Sequence, residues 1–262
     1  MRPGRLSAGR RTAGEALARW LAGGLLAGVA LLAGGCASLP PPSAQRVAST
    51  AIVDPGGTRL AATIVPAARD HPGLSGIHAM PDAYDAFAAR VVLAATAEKS
   101  IDAQYFIWHD DQVGLLLFEA LWKAAQRGVR VRLLLDDGGT AGIDEVLAML
   151  DAHPNIELRL YNPFVLRASR TLGYLGDFQR LNRRMHNKSF TADNLVSIVG
   201  GRNIANEYLG AAGEVGFADL DVLVVGPVVQ QVSAEFDRYW NSASAYAAAD
   251  FVGVAPADTA ER

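Results

Sequence analysis

The stretch from Ser100 to Asn162 constrains the fold more than any other part of the chain. SIDAQYFIW (Ser100–Trp108) reads as a strand, with Ile101, Tyr105, Phe106 and Ile107 in partial alternation. DQVGLLLFEALWKAAQRG (Asp111–Gly128) carries apolar residues at helical spacing, with Asp111 as N-cap and Gly128 as the stop. VRVRLLLDD (Val129–Asp137) is a second strand. IDEVLAMLDAHP is a short helix halted before Pro154, and IELRLYN (Ile156–Asn162) is a third strand. This alternation predicts parallel neighbours joined by right-handed crossovers, and hence an α/β sandwich.

The flanks extend the pattern. DAYDAFAARVVLAATAEK (Asp82–Lys99) has helical spacing. HNKSFTA and NLVSIVGG are short strands joined by a tight turn at Asp193–Asn194. NIANEYLG (Asn203–Gly210) is expected to be a short helix and FADLDVLVVG (Phe217–Gly226) a strand. PVVQQVSAEFDRYWNS opens on Pro227 and places Val232, Phe236 and Trp240 on one helical face. Core packing is the expected role of both Trp122 and Trp240. Residues 37–80 read as tether and loop with room for a short helix, and 247–262 as a loose tail.

The N-terminus is a targeting segment. Arg2, Arg5, Arg10, Arg11 and Arg19 precede the apolar run Trp20–Gly35, the layout of a secretory signal. Cys36, the only cysteine, follows Leu32-Ala33-Gly34-Gly35. This resembles a bacterial lipobox with its leucine one place early, and it implies a lipidated cysteine as the mature N-terminus. An uncleaved anchor over 1–35 is the alternative. Acyl chains on Cys36 would hold the protein on a membrane of the bacterial cell envelope. SLPPPSAQ would follow as an extended tether.

Charge narrows the partners. The chain holds 24 bases against 27 acids, and residues 1–35 contain five of the bases and one acid, Glu15. The remainder has 19 against 26, a net charge of −7. An acidic mature protein is a poor non-specific nucleic-acid binder, so no nucleic acid is expected as partner. Val165–Lys188 departs from this balance, with six bases against Asp177 alone.

That basic stretch leads into MHNKSFTADN (Met185–Asn194), where His186, Lys188 and Asp193 have the spacing H-x-K-x4-D. On a strand, His186 and Lys188 would share one face. An imidazole beside an ammonium is unfavourable unless an anion sits between them, and a phosphate satisfies both. Gly200 and Gly201 allow a close backbone approach, and Asn203 offers an amide donor. Lys188 and Asn203 would stabilise charge on phosphoryl oxygens, and neutral His186 could attack phosphorus. Asp193 could help position the group. The pairs Asp110–Asp111 and Asp136–Asp137 read as helix-capping acids rather than metal ligands. No cluster has metal-ligand spacing, and the chemistry calls for no metal or other cofactor.

HNKSFTADNLVSIVGGRN resembles the HKD signature of the phospholipase D superfamily. IDAQYFIWHDD, GVRVRLLLDDGGT, GGRNIANEYLG and FADLDVLVVGPVV sharpen the likeness to the N-terminal half of bacterial cardiolipin synthase C-like proteins. The resemblance implies a phospholipase D-like α/β/α sandwich with a mixed sheet over 81–246, after a tether and N-terminal extension over 36–80. It implies His186 as nucleophile, Lys188, Asn203 and Gly201 as phosphate binders, Asp193 as the third motif residue, and a phospholipid as substrate. Family enzymes use two such motifs, the second histidine acting as acid and base, and this chain has one. A homodimer or a missing C-terminal HKD half would supply the other; without it the chain is an inactive half. His109, in WHDD, is the one candidate substitute. A single-motif dimeric phosphodiesterase or nuclease is the alternative function.

Overall fold

The computed structural model describes residues 46–211 and 216–253, with positions 20, 24, 39–41 and 43. Cys36 and the basic flank lie outside the described residues, as does the apolar run apart from Trp20 and Gly24. Among the described residues, no helix is long and apolar enough to cross a membrane.

One compact unit begins at Pro40. Its elements are α1 (Arg59–Arg69), β1 (Gly76–Met80), α2 (Ala83–Thr96), β2 (Ser100–Ile107), α3 (Gln112–Gln126), β3 (Arg130–Gly139), α4 (Asp144–Asp151), β4 (Ile156–Tyr161), α5 (Arg170–Leu181), β5 (Ser189–Ala192), β6 (Val196–Gly200), β7 (Asp221–Val225), α6 (Pro227–Trp240), β8 (Ala245–Ala247) and α7 (Ala249–Val252). The eight strands form one mixed sheet in the order β1-β7-β6-β5-β2-β3-β4-β8. β2, β3 and β4 are parallel, as the alternating pattern predicts. Every other neighbouring pair is antiparallel.

Helices cover both faces, and strand alternation decides what each face holds. Ile101, Ala103, Tyr105, Val131, Leu133, Leu135, Leu158 and Leu160 join one apolar core with Leu93 of α2 and Leu117 and Leu121 of α3. The Asp111 carboxylate accepts from the Gly114 N–H and starts α3, and Gly128 ends it at φ +93°. The opposite face, under α6, is ionic. Arg132 donates twice to Asp102 at 2.7 and 2.8 Å and pairs with Asp237 of α6 at 2.8 Å. Arg159 lies 4.2 Å from the Trp240 ring centroid. Trp240 is fully buried, whereas Trp122 is partly buried against His153.

Three expectations are corrected. Residues 46–80 join the domain. β1 pairs with β7, the Ala51 N–H donates to Asp237 at 3.0 Å, and Ser49 O accepts from Arg132 at 3.0 Å. Buried Arg132 and half-buried Asp237 have more hydrogen-bonding capacity than their mutual pairing satisfies, and this strap bonds to both. The tail starts later than expected, because β8 pairs with β4 and α7 follows; residues 254–262 lie outside the described residues. NIANEYLG forms turns rather than a helix. Ile204 is bridged to Trp108, and the Asn206 side-chain Oδ1 accepts from the Val113 N–H at the start of α3.

Candidate active site

The site gathers around the C-terminal end of β2. His186 and Lys188 precede β5, which begins at Ser189, so they occupy an irregular lead-in rather than the strand itself. Their side chains still converge. Lys188 Nζ lies 3.4 Å from His186 Nδ1 and donates to the His186 carbonyl at 2.7 Å. Phe106 supports both, with its ring centroid 4.8 Å from that of His186 and 5.5 Å from Lys188 Nζ. Lys188 is buried and His186 exposed. The arrangement sinks the cation and presents the ring.

Asn203 comes in from the loop after β6. Its Oδ1 accepts from the Ile107 N–H at 3.0 Å. A backbone N–H can only donate, so the amide is fixed with its oxygen inward and its NH2 group free to face a ligand. Phe106 and Ile107 are adjacent, so one strand end supports both arms of the site.

Electrostatics set the protonation states. Partial burial lowers the His186 pKa below the ordinary histidine value, and the Lys188 charge lowers it further. The ring therefore stays neutral at neutral pH, with a lone pair available. Burial also lowers the Lys188 pKa, while Asp219 and Asp221 oppose that shift. Asp221 is fully buried and accepts from Arg90 at 2.8 Å. Arg90 also donates to the Tyr105 hydroxyl at 2.9 Å. Sequence reasoning passed over Phe106, Arg90, Asp219 and Asp221. A charged residue inside the apolar run FAARVVLAA was the available signal for Arg90.

Gly201 and Asp193 are held by their own neighbours. A Cβ on Gly201 would stand 2.1 Å from an Asp219 carboxylate oxygen, and the Gly201 N–H donates to Leu220 O at 3.2 Å. The glycine pair thus admits Asp219 and Asp221 beside Lys188. The Asp193 carboxylate accepts from the N–H groups of Lys99 at 2.7 Å, Ser100 at 2.9 Å and Glu98 at 3.1 Å. Asp193 and Asn194 both have positive φ, 48° and 52°, and Leu195 N–H donates to Ala192 O. This is the signature of a type I′ hairpin turn. Asp193 sits at the end of β5 opposite to Lys188 and ties that turn to the start of β2.

The basic stretch is largely paired. Arg167 and Arg170 reach Asp137, and Arg167 also reaches Asp144. Arg184 meets Asp136 at 2.9 Å, and Arg180 pairs with Asp177. Asp136 and Asp137 lie inside β3, fully buried, and serve as arginine acceptors, not as helix caps. Asp111 does cap α3. The fold also brings His109, Asp111 and Glu207 within 4.8 Å, a grouping that sequence spacing did not reveal. Both Asp111 oxygens are occupied there, by the Gly114 and Asn206 N–H groups, and His109 Nδ1 faces Glu207 at 3.5 Å. His109 is thus paired with Glu207, and His153 packs on Trp122; neither contact involves His186.

A mixed sheet that sets an H-x-K pair beside a GG-x-N turn is the arrangement of phospholipase D-like domains. Residues 92–240 match the family described as cardiolipin synthase, PLD-like domain, and the chain belongs to that family. It is 57% identical over 182 residues to cardiolipin synthase C of Escherichia coli (strain K12), covering 70% of this chain and 38% of that protein. It is 34% identical over 138 residues to cardiolipin synthase B of Salmonella typhi, covering 53% of this chain and 32% of that one. The chain thus spans under two fifths of these relatives. The phosphatidylserine synthase of Haemophilus influenzae Rd KW20 shares the fold, with a TM-score of 0.53 over 66% of this chain and 38% of that one at 15% identity.

Proposed function

We propose that this chain provides one half of a phospholipase D-type active site that opens a phospholipid phosphodiester through a phosphohistidine at His186. The observation that carries this reading is the neutral, exposed His186 ring beside the buried Lys188 ammonium. Lys188 keeps donors beyond the one given to His186 O, and the Asn203 NH2 adds another. These bind the non-bridging oxygens as charge develops. A His186 nitrogen bonds to phosphorus and the P–O bond to the leaving alcohol breaks. The leaving oxygen needs a proton, and the phosphohistidine then needs an activated alcohol or water. The facing histidine of a second HKD half supplies both functions, from a second copy of this chain or from a C-terminal half. Transfer to an alcohol yields a cardiolipin-like product, and transfer to water yields hydrolysis.

Cys36 would carry the lipid that holds this half-site at a membrane. Asp193 and Gly201 act by positioning: Asp193 holds the β5–β6 turn and Gly201 admits Asp219.

The test is to trap the intermediate. A phospholipid labelled at phosphorus, quenched in alkali after mixing with the chain and a complementary HKD half, should leave label on the peptide holding His186. Turnover without label, or label retained in His186→Ala, removes His186 as nucleophile.

A further inference from the structure

The segment between Leu166 and Arg184 inverts the usual pattern of a surface helix. A helix on a soluble domain turns apolar residues inward and charges outward. Here Arg167, Arg170 and Arg184 turn inward to Asp136, Asp137 and Asp144. Leu166, Leu172 and Phe178 turn outward, with 51%, 59% and 61% of their surface exposed. Single exposed apolar residues are ordinary; three within thirteen residues, over a layer of half-buried, acid-paired arginines, need a partner. The underside is well anchored: Phe164 N–H donates to Asp137 at 2.7 Å, and Tyr174 packs edge-on against Phe164 at 5.2 Å.

Charge indicates what that partner is. The five bases of the segment (Arg167, Arg170, Arg180, Arg183 and Arg184) meet four acids (Asp136, Asp137, Asp144 and Asp177), which leaves one positive charge on an otherwise acidic protein. Arg183 is exposed and forms no ion pair among the described residues. Arg184 and Met185 both bond to Asp136, and His186 follows directly. An apolar, net-positive lip beside the nucleophile matches the surface of an anionic bilayer, into which such a face inserts to headgroup depth.

We propose that the 166–184 lip docks on an anionic phospholipid surface and delivers headgroups to His186. The inference rests on the phospholipid reading of the site.

A probe on the lip itself separates this contact from any N-terminal anchor. The full chain with Cys36→Ser and Phe178→Cys would carry an environment-sensitive fluorophore at residue 178. On phosphatidylglycerol vesicles its emission should shift to the blue and rise about twofold or more, with quenching by brominated acyl chains. Phosphatidylcholine vesicles should leave it unchanged. Adding Leu172→Glu or Arg183→Glu should weaken the response about tenfold. A probe that stays wet while the protein sediments with vesicles overturns the proposal. So does a probe that dries without vesicles as protein concentration rises, which would mean that a second copy covers the lip. His186-dependent turnover of a water-soluble phosphodiester without insertion sinks the lip and leaves the site standing. Insertion without turnover in the presence of a complementary HKD half supports the lip and counts against the catalytic reading.

Discussion

The two ends of β5 carry residues of one motif and work by opposite means. At the N-terminal end, His186 and Lys188 keep hydrogen-bonding capacity in reserve, on a ring that faces solvent and an ammonium that is only partly engaged. At the C-terminal end, five residues beyond Lys188 and roughly 17 Å away at about 3.3 Å per residue, the Asp193 carboxylate is buried and accepts from three backbone N–H groups. A reactive group needs unmet valence, and a structural group needs none. Both are fixed spacings in the sequence, so the motif reads as one unit although it serves two purposes.

That contrast predicts opposite failures. His186→Ala should remove turnover of any active assembly by about a thousandfold or more. It should leave stability within about 0.5 kcal/mol, as expected for an exposed side chain. Kinetics and urea unfolding on the same preparation would check both. Asp193→Ala should do the reverse. Three amides lose their acceptor, at a cost of about 3 kcal/mol in urea unfolding, while the folded fraction keeps its turnover within about threefold. A larger activity loss with unchanged stability would move Asp193 into the reactive end.

Asn203→Ala tests the junction between the two modes, because Asn203 gives its oxygen to Ile107 and offers its NH2 outward. It should lower kcat/KM about tenfold to a hundredfold and cost about 1 kcal/mol of stability. The smallest effect concerns titration. With the neutral His186 ring as the proposed nucleophile, the rate should rise with pH through its pKa, and that limb should lie below the ordinary histidine value of 6.5. Lys188→Met removes one depressing charge. The ring pKa, followed by NMR, should move up toward 6.5, and the acid limb of any remaining activity should move with it. A downward shift would mean that Lys188 does not act on His186 through its charge.

Local chemistry made much of the fold legible. The parallel β2-β3-β4 core follows from alternating strand and helix periods, the start of α3 from Asp111, and the β5–β6 turn from Asp193–Asn194, a pair that tolerates positive φ. NIANEYLG misled because its helical composition is overridden by a bridge to Trp108 and the cap on α3. The 46–53 strap was hidden because its partners, Arg132, Asp237 and Asn241, are distant in sequence. The basic stretch stood out in the sequence by its charge alone, and only the packing of Asp136 and Asp137 inside β3 shows where its arginines go.

The sequence by itself determined the family chemistry, because H-x-K and GG-x-N are spacings along one chain and need no partner to be recognised. Tertiary structure decided what surrounds each of those residues. It placed Phe106 under both His186 and Lys188, filled the space over Gly201 with Asp219, and closed Asp193 onto the amides before β2. Whether a polar group reacts or merely holds depends on the valences its neighbours leave unmet, and those neighbours come from strands remote in sequence.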